Sequence, residues 1–176
     1  MTTTLPVPIE LRLPGPEWQP VAPESMGVVN AAFLAVREAA DDSGYRPTIV
    51  VSGGLREDGA ELASIGEESL ALLREQGAQH VELLRRTPGG AAAPSLTQLM
   101  GAVVTVEGRR YDLRQIQVIS SMPDVDDPTL RAVVLFTFTC TVAQLDVIGP
   151  EFQRFVASVR PVDRSGEGPD SATPPA

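Results

Sequence analysis

Hydrophobic positions along the chain switch between a two-residue and a helical period, with glycine, proline and aspartate marking each switch. Ile9, Leu11 and Leu13 alternate with Glu10 and Arg12 and stop at Pro14-Gly15-Pro16, which predicts a short first strand with one wet face. Trp18 is bracketed by Pro16 and Pro20. Proline cannot donate to a sheet ladder, so this segment is expected at an edge or in a loop. Val28 to Val36 is an apolar run that fits a helix or a buried strand. Val28-Val29 and the following Asp41-Asp42-Ser43-Gly44 cluster favour the strand. Pro47 to Ser52, with Ile49, Val50 and Val51 in a row, predicts a central strand ending at Gly53-Gly54.

Ala60 to Gln76 carries the clearest helical period. Leu62, Ile65, Leu70, Leu72 and Leu73 share one stripe, Glu61, Glu68 and Glu75 form an acidic ridge opposite, and Gly77 supplies the stop. A helix apolar on one side must lie on a sheet. His80 to Arg86 predicts a strand, Thr87 to Pro94 a flexible loop, and Leu96 onward a meander. Val103–Val106 and Tyr111–Ile119 flank a tight hairpin at Glu107-Gly108-Arg109, with Gly108 at positive φ. Apolar positions change phase between Leu113 and Ile116, which predicts a β-bulge near Arg114 and Gln115. After the Asp-rich turn of Met122 to Pro128, Leu130 to Thr139 is the most apolar strand. Val134, Phe136, Phe138 and Cys140 lie on one face and Val133, Leu135 and the threonines on the other, so both faces are expected to be covered. Leu145, Ile148, Phe152, Phe155, Val156 and Val159 keep helical spacing, and Pro150 is expected at the first position of that helix. The resulting organisation is a flexible N-terminus at 1–8, one α+β domain at 9–160, and a disordered tail at 161–176 rich in Ser, Gly, Pro and acidic residues.

Composition narrows the chemistry. Of 176 residues 43% are hydrophobic but only 5% aromatic, so the core must be built mainly from Val, Leu, Ile and Ala. A net charge of −9 repels phosphate, which argues against a nucleic-acid partner. All 14 basic residues are arginine, a pattern of codon usage rather than of chemistry. The N-terminus has no basic-then-apolar leader and no lipid-acceptor cysteine, and no apolar run is long enough for a membrane span. Membrane insertion is therefore not expected, and a cytoplasmic location is.

No catalytic or metal constellation is expected. His80 is the only histidine and has no motif around it, so it is expected to be a strand-edge imidazole. Cys140 is the only cysteine, in phase with Phe136 and Phe138, and is expected to be a core thiol. Asp124, Asp126 and Asp127 lack the mid-loop glycine and distal glutamate of a calcium loop. Gly53-Gly54 and Gly89-Gly90 lack the pattern of a phosphate loop, so no cofactor is expected. What remains is basic. Arg85 and Arg86 close one strand, and Arg109, Arg110 and Arg114 crowd the hairpin, making these five the candidate partner-binding residues.

The order of elements resembles the Mog1/PsbP-like superfamily, closest to the actinobacterial LpqN/LpqT type and the DcrB-like proteins. The resemblance runs from about Ile9 to Val159. It rests on the short strand with Leu-Pro and Trp18, the segment Arg46-Pro47-Thr48-Ile49-Val50-Val51-Ser52, the helix, the long meander, and the closing Phe152-Gln153-Arg154-Phe155-Val156-Ala157-Ser158-Val159. It implies an α/β/α sandwich, an antiparallel sheet of about six strands flanked by helices, in proteins that are mostly non-enzymatic binders. No catalytic residues carry over. The expected function is a non-catalytic protein-binding adaptor, such as a cytosolic chaperone associated with secretion. The alternative is a carrier of a small apolar ligand held between sheet and helix, and an enzyme using the carboxylates is a third reading. A pocket of several hundred Å³ under the second helix favours the carrier, and an exposed apolar strip on the sheet favours the adaptor.

Overall fold

The computed structural model describes residues 4–39, 41–90, 93–124 and 126–162. Among these residues nine strands and two α-helices follow in chain order: β1 (Ile9–Glu10), β2 (Trp18–Pro20), β3 (Ala31–Arg37), β4 (Thr48–Arg56), α1 (Leu62–Glu75), β5 (Gln79–Gly89), β6 (Ser95–Val106), β7 (Arg109–Pro123), β8 (Arg131–Thr141), α2 (Leu145–Ser158) and β9 (Arg160–Pro161). β2 to β8 form one sheet in the order β2-β3-β4-β8-β7-β6-β5, antiparallel throughout. The sheet has seven strands rather than about six, the extra one being the Trp18 edge segment. β1 pairs only with β9. That pairing includes Pro161, and Val162 donates to the Pro8 carbonyl, so the domain's order continues slightly beyond residue 160. The rest of the expected tail, residues 163–176, lies outside the described residues.

The first strand is shorter than its alternation predicts. Leu11 and Leu13 pack against the core without joining a ladder. β3 begins at Ala31 instead of Val28, because Asn30 takes a left-handed φ of 60° that no strand continues through. β4 runs through Gly53-Gly54 to Arg56. At Gly53 the backbone of β8 comes so close that a Cβ would lie 2.6 Å from the Val133 carbonyl oxygen, so the glycine permits the pairing instead of ending it. β5 extends to Gly89 and β6 starts at Ser95, which shortens the expected 87–94 loop. The hairpin after β6 is a two-residue turn closed by Val106 and Arg109. Glu107 (φ 49°) as well as Gly108 (φ 77°) adopts the left-handed conformation.

No bulge interrupts β7 near Arg114 and Gln115: its registers with β6 and β8 are continuous there. The bulges lie in β3 and β5 instead. The apparent phase change arises because β7 is apolar on both faces, with Ile116 and Val118 toward α2 and Leu113 and Ile119 toward the opposite side. α2 includes its proline internally: Pro150 is the sixth residue of a helix that starts at Leu145. The first turn is held from outside the helix. Gln144 is buried, accepts from the Thr141 N–H at 3.0 Å and donates to the Tyr45 carbonyl at 3.0 Å, and its own carbonyl accepts from Ile148 at 2.9 Å. Buried Ile148, Phe152 and Phe155 anchor the rest, which offsets the bond lost at the proline.

The helices lie on opposite faces, as successive side chains of β8 show. Val134, Phe136, Phe138 and Cys140 pack with Phe152 and Phe155 of α2, while Val133 packs with Ile65 of α1. Each helix covers only half of its face. α1 lies over β5, β6 and β7. The core under α2 is built from Trp18, Ala35, Ile49, Val51 and the β8 residues, the other half of the sheet. β8 is therefore not covered on both faces: Leu135, Thr137 and Thr139, in the middle of the sheet, are half-exposed. Leu72, placed by its spacing in the buried stripe of α1, is 52% exposed at the edge of that uncovered half.

Candidate functional site

Beside α2, where the helix leaves β5, β6 and β7 uncovered, lies a cleft of about 640 Å³. Its floor is Leu99, Ile116 and Val118, its helical wall Leu145, Phe152 and Val156. The floor residues are half-exposed, so the cleft is an open trench and not a closed cavity. Register explains why these residues meet. Arg85, Leu99, Ile116 and Phe138 are successive cross-strand partners, and side chains so paired share one face. The Phe138 end of that row is under α2, and its other end is open to solvent.

α2 is fixed in place by a clamp at its first turns. Glu151 accepts from Arg37 through both carboxylate oxygens, at 2.9 and 3.1 Å, and from the Trp18 indole N–H at 2.7 Å. Burial pushes the Glu151 carboxyl up, but the hydrogen bonds from Arg37 and Trp18 outweigh it and hold the group below its ordinary value. The helix wall is thereby tied to the edge strand β2 and its neighbour β3.

The five candidate arginines do not form one patch. Arg85 lines the cleft. Arg114 and Arg110 follow Ile116 on the same face of β7, in a neighbouring depression of about 260 Å³ shared with His80, Glu82 and Asp112. Arg114 bonds Asp112 at 3.1 Å and lies across Gly101, where a Cβ would come within 3.1 Å of its guanidinium. Arg86 and Arg109 are on the opposite face. Arg86 bonds Glu67 of α1 and the side chain of Gln98, and Arg109 stacks 5.6 Å above the Tyr111 ring. Three arginines are thus on the face of the cleft beside α2, only Arg85 in its lining, and two are on the other face.

His80 takes a φ of 51° within the irregular start of β5. Cys140 is fully buried, and burial pushes its thiol up to about 12, the behaviour of an inert core thiol. Among the described residues no group of three or more His, Cys, Asp or Glu side chains is placed to hold a metal ion, and no helix is long and apolar enough to cross a membrane. Sequence reasoning missed Gln98 and Gln117, both buried and both central to a polar row on the α1 face. The available signal was the pair Gln115 and Gln117 at alternate positions of β7, which the bulge reading absorbed.

No family profile matches this chain, and no curated protein matches its sequence. Solved structures do match its fold. LpqN of Mycobacterium tuberculosis, involved in cell envelope biogenesis, superposes with a TM-score of 0.59 at 11% identity over 89% of this chain and 86% of LpqN. PsbP of the cyanobacterium Synechocystis (CyanoP) gives 0.58 at 10% identity over 84% and 83% of the two chains. Protein PA94 of Pseudomonas aeruginosa, of unknown function, gives 0.54 at 20% identity over 73% and 81%. The fold is therefore the Mog1/PsbP-like α/β/α sandwich. LpqN shares it.

Proposed function

We propose that the protein is a non-catalytic adaptor that holds an apolar segment of another polypeptide in the cleft beside α2, as a cytosolic chaperone of a secreted partner does. The observation that carries this reading is the open trench itself: partly exposed Leu99, Ile116 and Val118 side by side on the adjacent strands β6 and β7, next to a clamped helix. A trench lets a chain enter at one end and leave at the other, and contiguous exposed apolar surface marks a binding face. Arg85 in its lining, with Arg114 and Arg110 in the neighbouring depression on the same face, suits a segment flanked by acidic residues. Asp146 is the sole carboxylate among the cleft's described lining residues, with no histidine or cysteine beside it, which supports a binding role over acid–base chemistry.

The cleft volume favours a second reading, a carrier of a small apolar molecule, since about 300–1,000 Å³ is the usual size of such sites. One experiment separates the two. Nile red is bound to the protein and challenged with a library of peptides of apolar centre and acidic flanks. Under the adaptor reading, peptides displace the dye, and Val118→Asp abolishes their capture while circular dichroism stays native. Dye binding that no peptide displaces favours the carrier. Neither dye nor peptide binding would remove the cleft as the site.

A further inference from the structure

The uncovered half of the α1 face carries a second groove of different chemistry. Its volume is about 570 Å³, and an adjoining lobe shares Asn30, Ser52, Ser69, Leu72 and Leu135 with it. The floor is Val50 and Ser52 of β4, Leu135, Thr137 and Thr139 of β8, and Gln115 and Gln117 of β7. One wall is Leu72 and Leu73 of α1, the other Val28 and Val29, and Val29 is 77% exposed.

The hydrogen-bonding polarity of this floor is set along the same face from β5 at the edge of the sheet. Arg86, Gln98, Gln117 and Thr137 are cross-strand partners on β5, β6, β7 and β8. Arginine can only donate, so the Gln98 Oε1 accepts from it at 2.9 and 3.1 Å. The Gln98 amide nitrogen must then donate, and it bonds the Gly66 carbonyl at 3.1 Å and the Gln117 Oε1 at 3.0 Å. Gln117 in turn donates to the Thr137 Oγ1 at 3.2 Å, and Gln115 donates to the Thr139 Oγ1 at 3.1 Å. Each threonine oxygen is thus an acceptor within the sheet, and its own proton is free to donate elsewhere. Both side chains are half-exposed in the groove, two residues apart on one strand, about 7 Å along it. The Gln115 and Gln117 amides also each keep a second N–H.

We infer that this groove binds a small uncharged molecule with an aliphatic arm and an ester or amide carbonyl, the carbonyl accepting from Thr137 or Thr139 and the arm lying against Leu72 and Val29. A fixed row of donors asks for acceptor oxygens. A carboxylate is disfavoured because Arg56, the cation in the lining of the adjoining lobe, is already held by Glu68 through two 2.8 Å bonds and by Asp58, and the molecule carries −9 overall. The site is independent of the cleft beside α2, from which the sheet separates it.

Methyl octanoate and sodium octanoate are the probes, followed by the side-chain amide NMR signals of Gln115 and Gln117. Methyl octanoate is expected to shift both signals and to bind more tightly than octanoate. Replacing both hydroxyls (Thr137→Val with Thr139→Val) should weaken the ester about fivefold, the worth of one ordinary hydrogen bond. Leu72→Ser, at an exposed position that does not test folding, should weaken it severalfold. The inference is overturned if signals move only at Leu99, Ile116 and Val156, if octanoate binds as tightly as the ester, if no binding reaches detection, or if Leu72→Ser and the valine variant keep full affinity.

Discussion

At the scale of single residues, Gly66 shows packing set against propensity. It is buried in the middle of α1, where alanine is favoured over glycine by about 1 kcal/mol. A Cβ there would overlap the Gln98 carboxamide oxygen and come within 3.0 Å of the Arg86 guanidinium. Gln98 is fully buried with its oxygen and nitrogen both bonded, so it has nowhere to move. Overpacking of this kind costs about 1–3 kcal/mol, enough to reverse the propensity gain. Gly66→Ala should therefore lower the urea midpoint, and it should lower it less when Gln98→Ala is introduced first. An increase in stability from Gly66→Ala alone would show that the polar row yields easily. The glycine is visible in the sequence between Ile65 and Leu70 of the helix stripe. Its reason is not, because Gln98 and Arg86 reach it only through strand register.

At the scale of elements, the clamp between α2 and the sheet edge has a pH signature. Glu151 and Arg37 are mostly buried, with side chains 15% and 12% exposed. Breaking such a pair leaves one charge without its partner, so Glu151→Gln should cost about 3 kcal/mol near neutral pH, the low end for buried pairs. The folded-state carboxyl lies below its ordinary value of 4.5. Its contribution is therefore complete above that ordinary value and is lost as pH falls through the lower folded value. Denaturation of the two proteins compared from pH 7 to 3 should show the gap constant at first, then closing below about 4.5. A gap that persists unchanged to pH 3 would mean that the charge is not what holds the helix. The elements themselves were largely legible: period, turn residues and the Gly77 stop place both helices and the central strands within a few residues. The errors share a cause. The bulge near Arg114 and the first-position Pro150 were inferred by treating each segment alone, whereas β7 is sandwiched between two cores and α2 is held by Gln144 from outside itself. Neither long-range fact has a local trace.

At the scale of the whole molecule, the two helices cover complementary halves of one sheet, and the uncovered halves become the two grooves. That arrangement could not be read from sequence, since an amphipathic helix reveals that it packs on a sheet but not over which strands. The same geometry divides the arginines, which as a sequence cluster were one candidate surface. On a molecule of net charge −9, a few exposed cations on one face create a local contrast that orients an encounter and raises its rate. Arg110, with Arg85, is on the face of the cleft beside α2, while Arg109 is on the other face above Tyr111. Arg110→Glu and Arg109→Glu change the net charge equally, so any difference between them reports position and not total field. For a peptide with acidic flanks, Arg110→Glu should reduce the association rate and flatten its dependence on salt, with little change in dissociation. Arg109→Glu should do much less, and reversing Glu61, Glu68 and Glu75 to arginine should raise the rate only in the general way that a less negative protein attracts an acidic peptide. Stopped-flow association at low and physiological ionic strength measures all three. Equal effects from Arg109 and Arg110 would mean that the peptide senses only total charge, and a larger effect from Arg109 would move the partner to the face of α1.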